Sequence, residues 1–68
     1  MRQYTLTHDV YTPHGIDLGI AAFAHLCHAA SQHDADHSIL TISATDEAIC
    51  ADLLNYILAI SAQELLSQ

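Results

Sequence analysis

The sequence predicts an α+β domain, order β-α-β-β-α, with a small antiparallel sheet carrying two helices on one face. Three observations predict it. Residues 2–9 alternate with period two, residues 38–43 are rich in Ile and Thr, and two stretches of helical periodicity follow Pro13 and Asp46. The 68 residues make one domain, 1–68, near the lower limit of independent stability. Domains this small commonly recruit disulfides, metal or self-association.

The first element is a strand over Arg2–Asp9. Tyr4, Leu6 and His8 share one face and Gln3, Thr5 and Thr7 the other, as in a half-buried strand. Thr12 is a plausible N-cap and Pro13 suits the first position of a helix. That helix runs from Pro13 to about His25 or Cys27, with Ile16, Ile20 and Phe23 at helical spacing. Gly15 and Gly19 each lower local helix propensity by ~1 kcal/mol relative to Ala, and their spacing admits a close neighbour.

Residues 26–32 suit either a continued helix or a second strand, and His33-Asp34-Ala35-Asp36-His37 carries turn-forming Asp without Gly or Pro. Ser38–Ser43 is a strand, with Ile39 and Thr41 opposing Leu40 and Ile42. Pairing it with 26–31 makes a hairpin. The closing helix spans Thr45–Gln68: Thr45 can cap it, and Asp46 and Glu47 complement its dipole. In the run Leu53–Ile60 only Asn55 is frankly polar. A helix apolar nearly all round is buried on more than one side, and so small a domain covers only one face. A partner is therefore expected against Leu54, Ile57, Leu58 and Leu65, with Thr5, Leu6 and Thr7 available for strand pairing.

Composition narrows the partner. Arg2 is the only Lys or Arg against eight Asp and Glu, and the net charge is -7 with histidine neutral. Nucleic acid and anionic membrane are disfavoured, because both are held mainly by Lys and Arg. A basic protein, a peptide or a second copy of the chain remains, and the 51% hydrophobic content favours self-association. No stretch of about 18 uninterrupted apolar residues calls for a membrane span. The N-terminus does not read as a signal peptide, so the cytoplasm and reduced thiols at Cys27 and Cys50 are expected.

Six histidines invite a metal. His25, Cys27 and His28 could converge with His33 and His37 across the hairpin, and zinc takes such ligands. No CxxC pair, HExxH or spaced Cys/His quartet accompanies them, so solvated histidines and no cofactor are the main expectation. Cys27 beside His25 and His28 lacks a nameable orienting acid or oxyanion cradle, and a structural thiol is expected. Asp34/Asp36 read as turn chemistry and Asp46/Glu47 as a helix start. A chain of this length also struggles to enclose a pocket of ~300 Å³, which argues against an enzyme acting alone.

Val10-Tyr11, a helix with Ile16, Ala21-Ala22 and Phe23, a strand region, and Asp46-Glu47 leading to Leu53-Leu54-Asn55-Tyr56-Ile57-Leu58 resemble the HxsD-like family over most of the chain. Its members share a Val/Tyr start, an Ala-aromatic helix centre and a Phe/Leu-Asn-x-x-Leu closing helix. They are small proteins encoded with radical S-adenosylmethionine enzymes of the His-Xaa-Ser peptide-modification system. The resemblance implies a non-catalytic accessory protein that helps a modifying enzyme hold its peptide, with a structural hydrogen bond at Asn55. The chain departs from that family in being His-rich and poor in Lys and Arg.

Overall fold

A computed structural model describes residues 1–67. The order is β1 (Arg2–Thr7), α1 (Pro13–Ala22), β2 (His28–His33), β3 (His37–Ser43) and α2 (Glu47–Leu66). The expected α+β class and element order are both present; residues 28–32 of the open stretch are strand, and His33, expected in the turn, extends it. Gln68, the expected last residue of the closing helix, lies outside the described residues.

β3 is the central strand, antiparallel to β1 on one side and to β2 on the other. β1 and β2 therefore run in the same direction, and α1 connects them as a crossover with β3 inserted between. Register sorts the side chains by face. Tyr4 and Leu6 oppose Leu40 and Ser38, while Ala29 and Ser31 oppose Ile42 and Leu40. Leu6, Ser38, Leu40 and Ile42 are buried beneath the helices, whereas Gln3, Thr5, Thr7, Ala30 and Gln32 on the opposite face are exposed.

The core joins Leu6, Leu40 and Ile42 to Ile16 of α1, to Cys27, and to Cys50, Leu53 and Ile57 of α2. Leu6 and Ile57, expected at a partner surface, are instead core residues, 4% and 0% exposed. Leu6 is there because it shares a strand face with Tyr4. Ile57 is there because it continues the line Cys50-Leu53-Ile57-Ser61 that α2 turns inward.

α1 stops at Ala22, short of His25, and Phe23 is its C-cap. The chain then turns, with Leu26 and Cys27 N–H both donating to the Phe23 carbonyl (2.9 and 3.1 Å), and enters β2. At the start of α2 the cap is Asp46 rather than Thr45: its carboxylate accepts the Ala48 N–H at 2.9 Å. A carboxylate cap adds dipole stabilisation that a hydroxyl does not. Residues 34–36 make the β2–β3 turn without any left-handed residue.

α1 and α2 touch where α1 has no side chains. A Cβ at Gly19 would stand 2.5 Å from Ile57 Cγ1 and 3.2 Å from Leu53 Cδ1, and one at Gly15 2.8 Å from Ser61 Oγ. Ile57 and Leu53 are fully buried, so neither can yield easily. Gly19→Ala should therefore destabilise the fold in urea titration. Overpacking costs roughly 1–3 kcal/mol and outweighs the ~1 kcal/mol gain in helix propensity.

Candidate functional site

Two polar clusters and one apolar surface are candidates for function. The first cluster clasps the start of α1 to the end of α2. Thr12 Oγ1 accepts the Gly15 N–H (3.0 Å) as the expected N-cap and donates to Glu64 Oε1 (2.7 Å). The Thr12 N–H donates to Ser61 Oγ at 2.9 Å, and His14 Nδ1 lies 2.9 Å from Glu64 Oε2. The hydrogen bond from Thr12, then that from His14, holds the Glu64 carboxyl below its ordinary value. Thr12 and Ser61 are buried, so the clasp is structural.

The second cluster sits at the His8 end of the sheet. Ser38 Oγ, on β3 and fully buried, lies 2.8 Å from His8 Nε2 and 2.6 Å from His33 Nδ1. The other nitrogen of His33 reaches Asp17 Oδ1 of α1 at 2.9 Å. Serine, histidine and aspartate in series is the arrangement of a nucleophilic hydrolase. A nucleophile must meet its substrate, however, and Ser38 is 0% exposed. Beside this cluster, His37 Nδ1 lies 2.8 Å from Asp36 Oδ1. That contact raises the His37 pKa and lowers that of Asp36.

The sequence-predicted ligands do not converge. Among the described residues no three His, Cys, Asp or Glu side chains group as a metal site. His25, Cys27 and His28 line an open cleft of about 320 Å³ with Ser43 and Thr45, whereas His33 and His37 belong to the other end of the hairpin. Burial, and next the neighbouring Cys50, push the Cys27 thiol up in pKa, and its S–H donates to the Phe23 carbonyl at 3.6 Å. Such a thiol is a buried hydrophobe with little thiolate character.

The third candidate is one side of the molecule. Asp17 hydrogen-bonds Ser31 and His33, so α1 lies over β2; Arg2 pairs with Glu47, so α2 begins over β1. Glu47, Leu54, Leu58 and Leu65 recur at helical spacing, which puts the three leucines on the flank that Glu47 marks. Leu54 is half-buried, while Leu58 and Leu65 are 38% and 36% exposed. Asn55, expected to make a structural bond, is exposed and makes no side-chain hydrogen bond among the described residues.

The same side carries an open strand edge. His8 N–H donates to the Asp36 carbonyl at 3.0 Å. By the alternation of an antiparallel ladder, even-numbered residues of β1 bond to β3; Gln3 and Thr5 turn both backbone groups outward, whereas the Thr7 carbonyl is taken by the N–H groups of Val10 and Tyr11. By length and composition α2 could also cross a membrane. Here, however, its Cys50-Leu53-Ile57-Ser61 line is taken up by its own sheet and α1.

Two measurements check this geometry. Ser61→Ala should lower stability by about 1–3 kcal/mol in chemical denaturation, because the buried Thr12 N–H loses its acceptor. Glu64 is depressed in the folded state, so its contribution is complete above its ordinary value of 4.5 and fades as pH falls through the folded value. His37 has the opposite sign: its contribution is complete below 6.5 and fades as pH rises through its raised folded value. Urea titrations across pH should show a shallower acid limb for Glu64→Gln and a flatter limb above neutrality for His37→Gln.

Compared with protein-family models, curated proteins and solved structures, the chain matches none.

Proposed function

We propose that this chain is a non-catalytic binding subunit that associates with a second copy of itself and holds a protein or peptide partner. One observation carries the proposal: an open strand edge at β1 and the leucine flank of α2 lie on the same side of the molecule. An unprotected edge accepts an extended strand through its outward N–H and C=O groups, and an adjacent apolar flank supplies affinity. The outward residues Gln3, Thr5 and Thr7 carry no charge to block such pairing. In a symmetric pair, Thr5 faces Thr5 of the other copy and the two exchange both backbone bonds, while Gln3 faces Thr7 and receives only the Thr7 N–H.

The identity of the enzyme served, a peptide-modifying enzyme of the radical S-adenosylmethionine type, rests on the HxsD-like resemblance. The acidic surface favours a basic peptide, and a single Lys/Arg side chain leaves little to hold nucleic acid or anionic lipid. The proposal assigns no catalytic residue and no cofactor to this chain.

Sedimentation velocity tests the association. The native chain should be oligomeric at micromolar concentration; a stable monomer there sinks the proposal. Leu58→Asp should weaken association by at least about a hundredfold while circular dichroism stays native, since burying each leucine contributes ~1.5–3 kcal/mol. Thr5→Pro should do the same, because its N–H turns outward and no ladder bond within the chain is lost. Ile57→Asp, by contrast, should unfold the chain.

A further inference from the structure

We propose that the His8–Ser38–His33 network holds at most one added proton while β1 stays docked, which makes it an acid-triggered release for the His8 end of that strand. The inference stands whether or not β1 receives a partner.

The argument is a count of hydrogens around one buried hydroxyl. Ser38 Oγ has a single hydrogen and two lone pairs, and both imidazoles bond to it. With both rings neutral every group is served. His33 Nε2–H donates to Asp17, leaving Nδ1 bare to accept the Ser38 O–H, and Ser38 accepts from His8 Nε2–H. One proton is also accommodated. On His8 it enters at Nδ1, away from the serine. On His33 it enters at Nδ1, and the hydroxyl swings round to donate to a bare His8 Nε2.

A second proton breaks the scheme. Both rings then donate to Ser38, and the hydroxyl hydrogen has no acceptor at a site without solvent exposure. Two cations also stand with ring centroids 6.4 Å apart. One ring must leave, and His8 is the less tethered. It lies just past β1 and its ring bonds only to Ser38, whereas His33 is anchored by Asp17 as well.

The surrounding groups do not supply the missing acceptor. Asp17 of α1 is already bonded to His33, and Asp36 and Asp34 of the β2–β3 turn are engaged with His37. Asp9, next to His8, is exposed, and α2 sends no hydrogen bond into the cluster among the described residues. None of these carboxylates offers the Ser38 hydrogen an acceptor. Protonation of His37 acts in the opposite sense, since it strengthens the contact with Asp36 at the turn.

Amide hydrogen exchange read by nuclear magnetic resonance tests the release at the His8 N–H, which donates to Asp36. Rates are corrected for intrinsic exchange and compared with Leu53 in α2. Between about pH 7.5 and about pH 5, where histidines take up protons, protection at His8 should fall at least about tenfold relative to Leu53. In His8→Gln, which keeps a polar side chain but takes no proton, that excess fall should vanish. His33→Gln should abolish it equally and serves if His8→Gln does not fold. A smaller fall in the native chain overturns the proposal, as does an unchanged fall in either folded variant. If neither variant folds, the native measurement alone decides.

Discussion

The close approach of α1 to α2 is the constraint on which the rest of the structure depends. Sixty-eight residues leave room for one layer of helix on one layer of sheet, and Ile16 and Leu53 are fully buried only when the helix axes come near. Gly15 and Gly19 remove the side chains that would hold them apart. With the helices side by side over three strands, each strand face has one assignment: Leu6, Leu40 and Ile42 inward, Thr5 and Thr7 outward. The Thr12–Ser61–Glu64 clasp then closes the end of the helix pair, so that a buried N–H and a buried hydroxyl are satisfied at the same seam.

The elements were legible in the sequence because their signals are local. Alternation around Leu6, the Thr12-Pro13 cap and the Ile39–Ile42 strand each need only a few neighbouring residues. Residues 26–32 were not legible, since Ala29 and Ala30 favour helix by local propensity and pairing with β3 overrides it. The exchange of Thr45 for Asp46 as cap is a one-residue question settled by backbone geometry.

Function was less legible for a physical reason. A partner surface and a core are both written in leucine and isoleucine, and their difference is angular. Ile57 and Leu58 are adjacent in sequence, yet 0% and 38% exposed, because one helical step carries the second off the inward line. The histidines raise a different question, of partner rather than of angle. Counting them suggests a metal, whereas register distributes them: His33 to Ser38 and Asp17, His37 to Asp36, His14 to Glu64. A signal for the first of these existed, because His8 continues the buried Tyr4-Leu6 face and Ser38 precedes Leu40 and Ile42 on theirs.

The pairing of Arg2 with Glu47 ties the start of β1 to the start of α2, and it engages the only Lys or Arg in the chain. Near neutral pH, permanent attractions are therefore few, while eight carboxylates repel one another across a small surface. Added electrolyte screens the repulsions among the carboxylates more than the exposed Arg2–Glu47 pair. Ionic strength should thus tighten this fold, whereas a protein rich in surface ion pairs loosens.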